Sequence, residues 1–221
     1  MTQLLAALRK EWLLQSRAFA PLLAVLVFGA TALLLFSFAV GPDYDLLRGN
    51  APGFLWLALL LSSTLTLAES FQAEMEHRAL EGQLLLPASA TAVYYAKALA
   101  NWAQLTVLGI AMVPLMVALY DAAMPRPLAL LGIIALGAAG LSAPGTLYAA
   151  MTQQARSRQT LLPLLLFPLV VPVLIAAVKA TSLLMLGDPM GQVWSWTLLL
   201  VAFDAIHWSL CGLLFGRVVE D

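Results

Sequence analysis

Charged residues divide the chain into six long apolar windows. Arg17 and Asp43 bracket the first, which is apolar from Phe19 to Val40. Arg48 and Glu69 bracket the second, at residues 52–68. The third fills the gap from Lys97 to Asp121. The fourth lies between Arg126 and Arg156, at 127–152, and the fifth between Arg158 and Lys179, at 161–178. The last, 193–215, holds one acid, Asp204. A helix needs roughly 20 mostly apolar residues to cross a bilayer, and lipid cannot satisfy free backbone groups. Each window therefore predicts a membrane-spanning helix, and the runs are too long for barrel strands. The expected fold is an all-α membrane protein with six transmembrane helices. Residues 1–18 are expected to form an interfacial amphipathic helix, and residues 19–221 a single six-helix transmembrane domain.

The leader earns that expectation from its own pattern. Leu4, Leu5, Leu8, Trp12 and Leu13 recur at helical spacing, while Arg9, Lys10 and Gln15 fall mostly elsewhere on the wheel. Such a helix lies in the headgroup plane with Trp12 at the interface. Pro21 suits the first turn of the following span and sets a break between the two helices. The first apolar run exceeds the roughly 7–15 residues of a signal-peptide core, so cleavage is not expected.

Composition agrees with the pattern. Apolar residues make up 62% of the 221 and charged residues 10%, against about 45–50% and 25% in soluble domains. With a mean hydropathy of +0.91, this excludes an ordinary soluble enzyme, and a net charge of −1 excludes a nucleic-acid partner. Membrane lipid is the solvent. The lone Cys211 cannot form an intrachain disulfide. Orientation follows from the cations. With both termini in the cytoplasm, Arg9, Lys10, Arg17, Arg78, Lys97, Arg156, Arg158 and Arg217 lie inside, and Arg48, Arg126 and Lys179 outside. That excess favours this orientation.

The outer loops are short, and the segment 181–192 is expected to dip back into the outer leaflet. The longest connection, from Glu69 to Lys97, is cytoplasmic in this orientation. It carries four acids, Glu69, Glu74, Glu76 and Glu81, and ends at Gly82 and Pro87. Phe71, Met75 and Ala79 share a helical face that Glu74, His77, Arg78 and Glu81 avoid. A short amphipathic helix is expected there, suited to docking a soluble partner.

At this loop the chain resembles the haem exporter protein B (CcmB) family, the permease subunit of the cytochrome c maturation ABC transporter. The resemblance rests on Gly53-Phe54-Leu55-Trp56 opening the second span. It continues with Phe71, Glu74, Leu80-Glu81, Leu84-Leu85-Leu86 and Pro87, then Ala96-Lys97. A Gly-rich fourth span (Gly132 to Gly145), Arg156 with Arg158, and a fifth span with Pro163, Pro168 and Pro172 complete it. It covers nearly the whole chain. The family's small Gly-Ser or Gly-Thr pair before Leu-Glu is Arg78-Ala79 here.

The resemblance implies a subunit that couples ATP hydrolysis by a partner to haem export, or to release of a haem-loaded chaperone, on the outer side. It implies an ABC ATPase (CcmA-like), a Trp-rich haem-handling membrane subunit (CcmC-like), a small single-span subunit (CcmD-like) and a haem chaperone (CcmE-like). A homodimer, or pairing with another membrane subunit, is expected, because one six-helix half rarely makes a full pathway. An ABC exporter permease for a lipid or drug is the alternative.

The chain has no Gly-x-x-x-x-Gly-Lys-Ser/Thr loop, so ATP is bound by a partner chain and no catalytic residue is expected here. ATPase coupling is assigned to Phe71, Glu74, Met75, Glu76, Arg78, Leu80 and Glu81. Haem is expected as cargo rather than as a tightly bound cofactor, because only His77 and His207 offer imidazole ligands, and no resident metal site is expected. Asp204 and His207, three residues apart in the last span, share a face. They read either as a latch or haem-proximal group, or as a hydrogen-bonded packing pair, or as an acid that stays neutral. An intramembrane enzyme would need more polar groups than these. Trp194 and Trp196 read as interfacial anchors. The prolines 163, 168 and 172 are expected to act as a hinge, and the glycines of span four as a packing seam.

Overall fold

The computed structural model describes residues 7–11, 13, 19–76, 89–152 and 158–220. Six helices make up the membrane region: α1 (Phe19–Val40), α2 (Tyr44–Glu76), α3 (Ala90–Tyr120), α4 (Pro127–Thr152), α5 (Arg158–Leu186) and α6 (Val193–Glu220). All six are long and apolar enough to cross a membrane. Large apolar side chains such as Phe38, Leu128 and Leu213 are exposed along them, which suits lipid and would be an aggregation hazard in water. Six crossings return the chain to the face where α1 begins, here termed the near face.

Short, capped turns hold the far face. Gly41 and Gly187 take positive φ values of 78° and 110° after α1 and α5, the left-handed conformation that ends a helix without a Cβ clash. Asp43 Oδ1 accepts from the Asp45 and Leu46 amides, both at 3.1 Å. Asp188 accepts from the Val193 amide at 3.0 Å and the Gln192 amide at 2.8 Å, which holds its carboxyl below the ordinary carboxylate range. Arg48, near the start of α2, pairs with Asp121 just after α3.

Several helices outrun the windows that charges suggested. α2 begins eight residues before Pro52 and continues to Glu76. α3 begins at Ala90, capped by Ser89, whose hydroxyl accepts from the Ala92 amide at 3.3 Å. Lys97 thus lies two turns inside a helix rather than at its end. α5 extends past the exposed Lys179 to Leu186, so residues 181–186 finish a helix and only Gly187–Gln192 turn. The connection expected over 181–192 is therefore reduced to its last six residues. A long cation can sit on a span's flank because its stem is apolar and its head reaches outward.

α4 is the axis of the bundle. Residues 140–147 are all buried, and α4 packs against α2, α3, α5 and α6. Its small residues permit that approach. A Cβ at Gly137 would strike the Trp56 indole, and one at Gly145 would strike Leu67. Side chains stitch the neighbours to α4 across the seam. Tyr94 Oη donates to the Ala143 carbonyl at 3.0 Å and Ser142 Oγ to that of Ala98 at 2.6 Å. Asn101 Nδ2 reaches Thr146 Oγ1 at 3.0 Å, Trp102 Nε1 the Ala135 carbonyl at 2.8 Å, and Trp208 Nε1 that of Ala139 at 3.2 Å. Peripheral α1 presents one buried stripe, Val25, Gly29 and Leu33, to α2 and α3.

α5 runs without interruption through Pro163, Pro168 and Pro172. Pro168 and Pro172 face outward, while Leu166, Val170 and Val173 face the core. Each ring removes a backbone donor.

Residues 7–11 and 13 are helical; the rest of 1–18, Trp12 among them, lies outside the described residues. In the segment assigned to ATPase coupling, the backbone of Phe71, Glu74, Met75 and Glu76 is helical and continuous with α2. Their side chains, and His77, Arg78, Leu80 and Glu81 altogether, lie outside the described residues.

Candidate functional site

Polar chemistry inside the membrane region gathers where α4, α5 and α6 meet. Asp204, in the middle of α6, is 9% exposed, and neither carboxyl oxygen has a hydrogen-bond partner. The packing pair with His207 does not form. His207 Nδ1 lies 2.9 Å from the Phe203 carbonyl, four residues back on the same helix, and its ring stacks on Phe203 at 3.7 Å between centroids. The imidazole is taken by its own helix, and Asp204 is left to α4.

Gly140 makes room for it. A Cβ there would lie 3.0 Å from Asp204 Oδ1 and 2.9 Å from both Val173 methyls. Pro144, four residues on, lacks the amide that would bond the Gly140 carbonyl. An acid without a partner therefore packs against α4 at the level where Pro144 leaves a carbonyl without its helical donor. A charge at the bilayer centre costs at least about 2.5–3.5 kcal/mol, and an unpartnered buried polar group is itself costly. Packing alone does not favour an acid at this position. Asp204→Leu, which keeps the branched shape, is expected to raise the melting temperature of the purified protein by a few degrees. A lower melting temperature would show that the acid supports the fold.

Toward the near face from Asp204, a half-open cavity of about 370 Å³ separates α4 from α6, with α5 at its edge. His207 and Cys211 line it from α6, Pro144, Tyr148 and Met151 from α4, and Leu169 from α5. Arg217 lines its near-face end. Among the described residues no three of His, Cys, Asp and Glu gather as a metal cluster.

A second polar cluster was not legible as a site. Lys97 is 1% exposed. Its ammonium lies 3.4 Å from Glu11 Oε2 and donates to the Ser70 carbonyl at 3.0 Å. It joins the N-terminal helical segment, the end of α2 just before Phe71, and α3. The available signal was Ser89 two residues after Pro87: a helix cap there puts Lys97 inside the helix.

The family model for CcmB protein matches residues 2–220. The chain belongs to the CcmB family. It is 34% identical over 196 residues to heme exporter protein B of Pseudomonas aeruginosa, covering 88% of this chain and 87% of that one. The corresponding protein of Bradyrhizobium diazoefficiens is 32% identical over 187 residues, 85% of this chain and 84% of the relative. That of Rhodobacter capsulatus is 36% identical over 150 residues, 68% and 69% respectively. Within the CcmB-like Gly53-Phe54-Leu55-Trp56 motif, the structure gives Trp56 a packing role. Its indole fills the notch at Gly137 and donates to Thr181 Oγ1 at 3.0 Å, tying α2 to α4 and α5. Gly53 has no neighbour within reach of an added Cβ.

Proposed function

We propose that this chain is the permease subunit of an ABC transporter for cytochrome c maturation, multi-pass in the cell inner membrane with both termini cytoplasmic. The observation that carries this reading is the match to the CcmB family over residues 2–220, together with six membrane-spanning helices. The lipid or drug exporter alternative has no comparable support.

In this reading a partner ATPase (CcmA-like) supplies the energy, and the chain itself is non-catalytic. Haem, or a haem-loaded chaperone (CcmE-like), is moved or released on the outer side, with CcmC-like and CcmD-like neighbours. The push enters through residues 71–81. Phe71, Met75 and Leu80 insert into an apolar groove of the ATPase, and Glu74, Glu76, Arg78 and Glu81 set the register through rim charges. The Glu11–Lys97–Ser70 cluster carries the displacement into α3, and Pro163, Pro168 and Pro172 let α5 flex.

Deletion of the gene should abolish holocytochrome c, and this chain should restore it. Glu74→Lys with Glu81→Lys is expected to cut co-purification with the ATPase, and the coupled hydrolysis, at least about tenfold, a loss worth about 1.4 kcal/mol. Intact co-purification in the double variant would remove residues 71–81 from the coupling role.

A further inference from the structure

We propose that the cavity between α4 and α6 is a docking site for haem, with His207 as axial ligand and Arg217 as the anchor for the propionates. This rests on the reading above, in which haem is the cargo, and adds a place for it.

The state of His207 is the first support. Its Nδ1 faces the Phe203 carbonyl at 2.9 Å. A carbonyl only accepts, so Nδ1 carries a proton, and Nε2 is the ring nitrogen through which the neutral imidazole would ligate. Metal-ligating histidines are held by this kind of backbone bond. The stack on Phe203 fixes the ring further. His207 also lines the cavity, so a prepared ligand stands at an apolar space.

The walls are the second support. Leucines, Pro144 and Tyr148 surround the space, which suits a flat apolar macrocycle. Its volume of about 370 Å³ falls in the range that holds a compact organic ligand, and the open side lets a larger one protrude. Met151 lines it from α4, and a thioether with an imidazole is an established haem ligand pair.

Charge is the third. A porphyrin with two carboxylates needs a cation at one edge. Arg217 sits ten residues beyond His207, about 15 Å along the helix. It is exposed and has no ion pair among the described residues. An extended arginine and a haem with its propionates together bridge that distance. A site with one strong ligand, half open and with a cation at its near-face end, holds its cargo loosely enough to pass it on. A phospholipid, acyl chain in the cavity and phosphate on Arg217, is the competing occupant.

The test is titration of the full-length chain in phosphatidylcholine nanodiscs with haem and with iron-free protoporphyrin IX, followed by absorption and fluorescence. The wild type is expected to give a saturable, shifted Soret band. His207→Ala should lose that shift and weaken haem at least about tenfold, while iron-free porphyrin binds as before. Arg217→Gln should weaken both porphyrins several-fold with the haem band unmoved. Arg217 is exposed, so that variant tests the site even where His207→Ala fails to fold. Haem spectra and affinities unchanged by both substitutions would overturn the proposal, as would a co-purifying phospholipid that haem does not displace. A wild-type chain that restores cytochrome c maturation yet shows no His207-dependent spectrum removes the docking site and leaves the proposed function standing. Failure to restore maturation removes the function itself.

Discussion

Gly137→Leu should abolish the folded bundle, and Gly132→Leu, five residues earlier on the same helix, should leave it intact. A Cβ at 137 would lie far inside contact distance of Trp56 Cη2, whereas none of the surrounding atoms lies within 4 Å of a Cβ at 132. Trp56 cannot step aside cheaply. It is 1% exposed, and its Nε1 is held on Thr181 Oγ1 at 3.0 Å. Expelling the indole forfeits about 3–5 kcal/mol, the cost of removing a large aromatic from a core. It also strands the Thr181 hydroxyl inside α5. Small-residue contacts stand in for the hydrophobic driving force that lipid does not supply between helices, so α2 and α4 have little else at this level to hold them. Fluorescence-detected size exclusion of both variants after heating reads the outcome. A Gly137→Leu protein that elutes and melts like the wild type would falsify the Trp56–Gly137 contact as an organising feature. The rescue arm is Gly137→Leu with Trp56→Ala, which removes the clash and should recover part of the stability.

The same helix shows what the sequence could and could not yield. Six spans were legible because lipid forces a blunt pattern: long charge-free windows admit few alternatives to helices. The glycines of α4 pointed to a seam, since small residues at helical spacing serve close packing. Which glycine faces which neighbour is a matter of rotation about the helix axis, and a span apolar all round carries little periodic signal to fix it. Hence Gly132 looked equivalent to Gly137, Gly140 and Gly145 and is not. Charges do not always mark the ends of these helices. Lys97 lies in α3 and Lys179 in α5, because an amphipathic stem lets a cation ride inside a helix. Asp204 stood out by its cost in the membrane interior. Its separation from His207 was hidden, because spacing alone does not say that a backbone carbonyl will claim the imidazole first.

Lys97→Met should destabilise the protein by about 3–5 kcal/mol, and adding Glu11→Gln should recover much of that loss. The lysine is 1% exposed and the glutamate side chain 9%, so the pair is shielded from water. Removing Lys97 leaves the Glu11 carboxylate only the more exposed Lys10, 3.7 Å from its other oxygen, to offset a largely buried charge, which is costly. Replacing both by neutral groups of similar length does not incur that cost. The remaining deficit in the double variant includes the hydrogen bond from Lys97 to the Ser70 carbonyl, which both variants lack. Glu11→Gln alone should cost less than Lys97→Met, because the ammonium keeps that carbonyl. A double-mutant cycle on melting temperatures gives the coupling energy, and additive effects would mean that the ion pair holds nothing together. Under the coupling role proposed for residues 71–81, the cluster matters beyond stability because Ser70 immediately precedes Phe71. A clamp at Ser70 ties the end of α2, the start of α3 and the N-terminal helical segment together. In the doubly substituted protein, whose fold is largely recovered, ATPase binding should persist while holocytochrome c yield falls, because a displacement at residues 71–81 then reaches α3 only weakly. Full yield from the double variant would limit Glu11 and Lys97 to holding the fold.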